Sequence, residues 1–197
     1  FPGVNHYFGF GTDVTLTKKF NIAYDLRIST NDNRSTARND INIVNSSNDI
    51  NGSNASIINN HNNAVYFGNN IFSRFKIDSA GSEWTAQIDY NRFNYSNDQA
   101  YNNYYYQPAT PTLFGDGKTR NSKNIFTFQT DLTYKFKHGY TLETGFKTTT
   151  SNSDNSAKYF IQQGASETKV DSFQTNTFKY KEVISSAYLQ LSKKIFG

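Results

Sequence analysis

Hydrophobic and polar positions alternate along the beginning of the chain. From Phe8 to Leu16 every second residue is apolar or a threonine, and the residues between them are small or polar. After Lys18 and Lys19 the alternation resumes from Phe20 to Ile28. Successive side chains of a β-strand point to opposite faces. The pattern therefore predicts a β-hairpin with one apolar face, one polar face and a turn at the two lysines.

The same unit recurs along the chain. Further alternating runs cover about 64–77, 84–91, 126–136, 140–147 and 178–193. Short turns at 78–83 and 137–139 join some neighbours, and KKIFG at 193–197 predicts another. Segments rich in Asn, Ser and Asp separate the others, and they are interpreted as long external loops at about 30–63, 96–122 and 149–176. The predicted fold is all-β, an antiparallel up-and-down meander of seven recognisable strands.

Strand length and loop asymmetry favour a transmembrane β-barrel. Runs of about 10 to 14 residues suit strands tilted across a bilayer, whereas strands of soluble sandwiches average about 5–6 residues. Short periplasmic turns and long external loops are typical of outer-membrane barrels. Aromatic residues also lie near both ends of the runs, with Trp84 and Phe136 beside short turns and Tyr95 and Tyr180 beside long loops. The alternative is a soluble or surface-exposed β-sandwich that acts as a binding module or adhesin.

Composition narrows the function classes. Only 36% of the 197 residues are hydrophobic although 16% are aromatic, and no apolar run is long enough for a transmembrane helix. The formal charge of +4 comes from scattered basic residues, which argues against a nucleic-acid partner. Cysteine is absent, and the three histidines, His6, His61 and His138, lie on separate segments. We therefore expect no catalytic residue, no metal site, no cofactor and no enzymatic activity.

Charged residues on the polar parity are candidates for lining a lumen. In a barrel with an apolar outer surface, the opposite face of each strand points to the interior. The predicted lumen-facing residues are Asp13, Asp25, Arg27, Asp89, Asp131, Glu143 and Lys147.

The segment NRFNYSNDQAYNNYYYQP, residues 91–108, is the candidate ligand contact. Tyr101, Tyr104, Tyr105 and Tyr106 lie among asparagines, so their rings can stack on a sugar or another flat ligand while the amides form hydrogen bonds. The alternative is a loop packed by its own aromatic side chains, without a ligand.

Three stretches resemble a known family. FKYKEVISSAYLQLSKKIFG at 178–197, GSEWTAQIDYNRFNYSNDQ at 81–99 and the hairpin KKFNIAYDLRIS are similar to strands of the outer-membrane β-barrel family related to TonB-dependent receptors. The resemblance implies transport of a ligand or nutrient across the bacterial outer membrane. It also implies contact with outer-membrane lipid, a TonB-type energiser, a small-molecule or glycan ligand, a plug and a barrel of about 22 strands.

The strand count indicates that residues 1–197 form either a single barrel domain or a segment of a larger barrel. Bacterial single-chain barrels have even strand numbers, and an odd number of recognisable strands with no plug favours a segment of seven or eight strands. A segment of this kind has open sheet edges, which invite pairing with another copy.

Overall fold

The chain folds into one antiparallel β-sheet. A computed structural model describes residues 3–193. The strands are β1 (Val4–Thr17), β2 (Phe20–Val44), β3 (Ile50–Lys76), β4 (Glu83–Gln107), β5 (Ala109–Lys135), β6 (Tyr140–Gln163), β7 (Lys169–Val170) and β8 (Asn176–Lys193). β1 to β6 pair in chain order, and both β8 and the two-residue β7 pair with β6. The predicted all-β meander is confirmed, with β7 as an additional short strand.

Cross-strand pairing merges the alternating runs into two faces. Directly paired residues of antiparallel strands lie on the same side of the sheet. Tyr24 pairs with Ile71, and Ile71 pairs with Ile88. We call the side that carries this row the apolar face. The opposite side, called the polar face, carries the row Asp25, Asn70, Asp89 and Thr127.

The sheet is a single layer without a packed core. Among the hydrophobic side chains of residues 3–193, only Ala55 is buried. A β-sandwich needs a second sheet against its apolar face, and the described strands all belong to one sheet. The sandwich alternative is therefore wrong for this part of the chain. Within the described residues, no helix has the length and hydropathy required to cross a membrane.

The three segments predicted as long loops consist mostly of paired strand. In 30–63 only the stretch between Val44 and Ile50 lies outside the strands, and in 96–122 only Pro108 does. In 149–176, β6 continues to Gln163 before a loop that contains β7. The prediction of unstructured loops is wrong here. We call the strand segments 30–44, 50–64, 92–107, 109–124, 152–163 and 176–181 the extension.

The sequence of the extension does not show strand periodicity, because its side chains are polar on both faces. Strand periodicity is visible in a sequence only where one face is apolar and the other polar. In the extension, side-chain amides bond across strands instead: Gln99 Nε2 donates to Asn60 Oδ1 at 3.0 Å, and Asn97 Nδ2 donates to Asn62 Oδ1 at 2.6 Å. Backbone pairing continues without the alternation that would reveal it.

The predicted short turns are present at the other end of the strands. Thr17 Oγ1 accepts hydrogen bonds from the backbone of Lys19 and Phe20 at 3.2 and 3.0 Å. Asp78 Oδ1 accepts from the backbone N–H of Ala80 and Ser82 at 2.9 and 3.0 Å. These bonds hold the first two turns closed. The third is a 3-10 turn over Lys137–Gly139, and the turn predicted after Lys193 lies outside the described residues.

The short turns are displaced along the ladder, which indicates inclined strands. Phe20, the first residue of β2, shares a cross-strand row with Phe75, Trp84 and Leu132. β5, however, continues for three residues beyond that row, to Lys135. An offset of about 10 Å over three strand spacings of about 4.8 Å corresponds to a tilt of roughly 35°, the inclination typical of barrel strands.

The sheet is open within the described residues. The outer edges of β1 and β8 have no partner strand among residues 3–193. An unpaired edge presents free N–H and C=O groups to another strand. Pairing of these edges with another copy remains a prediction.

Candidate functional site

The apolar face carries a continuous belt of hydrophobic side chains beside the short turns. The belt covers 8–16, 20–28, 65–75, 84–90, 126–134, 142–146 and 183–191. On β2 it is nine residues long, which corresponds to about 25 Å at a strand tilt of roughly 35°. Leu189 and Leu191 are 75% and 65% exposed, because no second layer covers them. An exposed apolar band of this height matches the lipid-facing band of outer-membrane barrels.

Two tyrosines in the belt direct their hydroxyl groups towards the extension. Tyr24 donates to Asn69 Oδ1 at 2.6 Å, and Tyr90 donates to Asn124 Oδ1 at 3.1 Å. Each acceptor lies one row nearer the extension than the tyrosine itself. The Tyr90 hydroxyl therefore reaches the polar border of the belt at Asn124, whereas the Tyr24 hydroxyl bonds within the belt, because Asn69 lies on its β3 segment. The arrangement of Tyr90 is typical of aromatic residues at a membrane–water interface.

The polar face holds all seven charged residues that were predicted to face a lumen. The cross-strand register places them on one side of the sheet: Asp13, Asp25, Arg27, Asp89, Asp131, Glu143 and Lys147. They lie at the same height as the apolar belt on the other side. Their contact with a lumen remains a prediction.

Three of these carboxylates accept hydrogen bonds from neighbouring amides, and the first is Asp13, which accepts from Asn21 Nδ2. Asp89 accepts from Asn70 Nδ2 at 2.6 Å and from Gln87 Nε2 at 2.9 Å. Asp131 accepts from Gln129 Nε2 at 2.8 Å. Amide donors fix the orientation of the carboxylates. Charged groups inside a membrane protein face the interior or a water-filled cavity and not acyl chains.

A shallow depression on the polar face lies between β2, β3 and β4. It has a volume of about 350 Å³ and is lined mainly by charged and amide groups. At one side, Arg27 Nε contacts Asp25 Oδ1 at 2.7 Å. At the other, Tyr66 donates to Asn91 Oδ1 at 2.6 Å. The depression offers cations, anions and hydrogen-bond donors to a polar solute.

Glycines on the polar face make room for tyrosine rings, a feature that the sequence reasoning missed. Tyr101 pairs directly with Gly115, and a Cβ atom on this glycine would overlap the Tyr101 ring. Burial raises the pKa of the Tyr101 hydroxyl. Two further pairs share this geometry, Tyr159 with Gly117 and Tyr188 with Gly145. Only the register reveals these pairs, because their partners are distant in sequence.

The four candidate ligand-contact tyrosines do not form one cluster. Tyr101 lies on the polar face, whereas Tyr104 pairs with Ala55 on the apolar face. Tyr105 and Tyr106 lie at the tip of β4 and are 36% and 56% exposed. A self-packed loop is also wrong, because this segment is paired strand. Ligand contact by these side chains remains a prediction.

The histidines are separated in the structure as they are in the sequence. His61 Nε2 lies 3.0 Å from Asp32 Oδ2 in the extension, and this hydrogen bond lowers the pKa of the Asp32 carboxyl. His138 lies in the third short turn with a φ of 64°. Across residues 3–193, no three His, Asp or Glu side chains are grouped closely enough to hold a metal ion.

Comparison with known proteins agrees with the belt and the meander. Residues 75–197, more than half of the chain, match the sequence model of the outer membrane protein beta-barrel family. No curated protein matches the chain. The matched residues begin at the end of β3 and include β4 to β8, which carry much of the belt. The chain therefore belongs to the outer membrane protein beta-barrel family, is located in the bacterial outer membrane, and contacts membrane lipid through its apolar belt.

Proposed function

We propose that the chain forms part of the wall of a transport barrel similar to TonB-dependent receptors. This proposal rests on the depth in the membrane at which the charged residues of the polar face lie. Asp25, Arg27 and Asp89 lie opposite the apolar belt, where lipid covers the other side of the sheet. Charged groups at membrane depth are stable where they border water. A water-filled interior lined by carboxylates, a guanidinium and amides suits the passage of a polar solute.

The extension provides the entrance to this interior. Outer-membrane barrels have short periplasmic turns and project further on the extracellular side. The strands continue well beyond the belt only in the extension, so we place the extension on the extracellular side. Tyr105 and Tyr106 are exposed at a strand tip and are the first aromatic contacts for a small-molecule or glycan ligand. The role of the chain is transport without catalysis, and a TonB-type energiser acts through the full-length protein.

Adjacent cysteine variants test the proposed water-filled interior. The chain contains no cysteine, so each substitution creates one reactive site in it. Thr127 lies on the polar face beside Asp89, and Phe128 lies on the apolar face beside Ile88. We expect a bulky, membrane-impermeant maleimide added to cells to label Thr127→Cys and not Phe128→Cys. Equal labelling at both sites, or labelling of Phe128→Cys alone, would contradict the proposed orientation.

Uptake measurements test transport itself. Cells with and without the protein are compared for uptake of a panel of labelled oligosaccharides and other polar solutes, in the presence and absence of the TonB-type energiser. We expect at least one solute to lose uptake in both deletions, and the maleimide at position 127 to block the same uptake. Unchanged uptake across the panel would refute the transport role. Uptake that needs the protein without the energiser would refute the TonB dependence alone.

A further inference from the structure

The border of the apolar belt on β4, β5, β6 and β8 is a row of basic and amide side chains. Arg92 pairs with Asn124, Asn124 with Asn152, and Asn152 with Lys181. All four lie on the apolar face. On β4, β5 and β8 the row lies directly next to the last belt residues, Tyr90, Phe126 and Val183; on β6, Thr148 and Thr150 lie between the end of the belt at Phe146 and Asn152. On β4 and β8, which carry Arg92 and Lys181, the face that contacts acyl chains therefore changes to positive charge within one row.

The two basic residues at the ends of the row are available to a ligand. Arg92 and Lys181 are both exposed, and neither forms an ion pair within residues 3–193. Three strand spacings separate them, which is roughly 14 Å. The amides of Asn124 and Asn152 lie between the two charges and can donate to oxygen atoms of a ligand.

A depression extends from this row into the extension. Its volume is about 360 Å³, and it is lined by Asn124, Asn152 and Lys181 together with Ser122, Asp154 and Lys179. Lys179 Nζ contacts Asp154 Oδ2 at 3.1 Å, so the one carboxylate in the depression already has a cationic partner. The unpaired charge of the depression is therefore that of Lys181.

We propose that this row binds the phosphorylated headgroup of an outer-leaflet glycolipid whose acyl chains lie on the belt. The belt is the established lipid contact, and the row continues it on the extracellular side. Phosphate oxygens complement the Arg92 guanidinium and the Lys181 ammonium. The asparagine amides between them complement sugar hydroxyls. The inference rests on the lipid contact of the belt and is independent of the transport proposal.

Titration of the purified full-length protein in neutral detergent micelles tests this site. The probes are bisphosphorylated lipid A and the same lipid after enzymatic removal of both phosphates, with bound lipid counted by native mass spectrometry. A basic side chain near an anionic headgroup contributes about five-fold in affinity. We expect the phosphorylated lipid to bind at least ten-fold more tightly, and Arg92→Gln with Lys181→Gln to remove roughly 25-fold.

Matched control variants distinguish lipid binding at this row from non-specific attraction of the lipid to positive charge elsewhere on the protein. Lys18→Gln with Lys19→Gln removes the same charge at a short turn and should leave binding unchanged. Arg92→Lys with Lys181→Arg retains both charges and should retain most of the affinity. Equal loss in the turn variant, or equal binding of the dephosphorylated lipid, would overturn the proposal. If the glutamine variant does not fold, the comparison of the two lipids on the unaltered protein decides the question.

A competition experiment distinguishes a lipid ligand from a free anion. Inorganic phosphate at millimolar concentration should not displace lipid A, because it lacks the acyl chains that lie on the belt. Complete displacement by inorganic phosphate would show a free-anion site and overturn the lipid assignment.

Discussion

Replacement of Leu132 by arginine places a charge in the lipid-facing belt. Leu132 pairs with Trp84 on the apolar face and lies two residues from Thr130, the middle of the belt on β5. At a rise of about 3.4 Å per residue and a tilt of roughly 35°, Leu132 is about 6 Å from the bilayer midplane. Arginine costs about 2–4 kcal/mol at the midplane and about 0–1 at the interface. We therefore expect Leu132→Arg to lower the free energy of unfolding by about 2 kcal/mol.

The neighbouring polar-face residue provides a matched control. Thr133 pairs with Glu83 on β4 and with Glu143 on β6. An arginine at this position lies between two carboxylates, and opposite-charge cross-strand pairs contribute about 0.2–1 kcal/mol each. Thr133→Arg should therefore be neutral or slightly stabilising, although it introduces the same side chain one residue away.

Urea unfolding of the full-length protein in lipid vesicles, followed by far-UV circular dichroism, measures both variants. Circular dichroism is preferable to tryptophan fluorescence, because Trp84 is the only tryptophan of the chain and directly pairs with Leu132. Equal destabilisation by the two substitutions, or a larger loss from Thr133→Arg, would refute the assignment of the faces.

Three further predictions concern local contacts. Gly115→Ala should destabilise the protein by about 1–3 kcal/mol, because its Cβ overlaps the Tyr101 ring; urea titration should show the loss largely relieved in the double variant with Tyr101→Ala. Hydrogen bonds from Ser82, first its hydroxyl and then its backbone N–H, lower the pKa of Asp78 in the second short turn. The resulting stabilisation is present above the unfolded pKa of about 3.9 and is lost as pH falls through the lower folded value; Asp78→Asn should remove this part of the acid dependence in urea midpoints measured from neutral pH downwards. Ser82→Ala should cost about 1 kcal/mol in the same titration, because Ser82 is buried and its Oγ accepts the backbone N–H of Lys135 at 2.9 Å. An unchanged urea midpoint in this last variant would show that the bond contributes nothing.

The amphipathic parts of the strands were predictable, because apolar and polar residues alternate there and the alternation shows which side chains share a face. Phe20 to Ile28 alternates regularly, and the structure gives it the predicted apolar face. The same contrast placed Asp89 and Asp131 on the opposite side. Periodicity of two fixes the side of every residue once the strand is recognised.

The extension and the glycine contacts were not predictable for physical reasons. Both faces of the strand around Asn60 are polar, so its sequence resembles that of a loop although its backbone is paired. The contact of Tyr101 with Gly115 depends on the register between β4 and β5, which local sequence does not specify. The dispersal of Tyr104, Tyr105 and Tyr106 has the same origin, because strand alternation and a register shift near Asn103 separate their side chains.

Paired strands in the extension change the thermodynamics expected for the proposed ligand recognition. Ordering a flexible loop on binding costs roughly 1–2 kcal/mol per residue in backbone entropy. In this protein most of that ordering accompanies folding, because the backbone from Thr30 to Val44 is already hydrogen-bonded to β3. A ligand that binds to this surface meets a preorganised backbone. Its affinity is therefore reduced little by loss of backbone entropy in the protein. Calorimetry should then show a small entropic penalty, and solutes of the wrong shape should be rejected by a rigid surface that does not adapt to them.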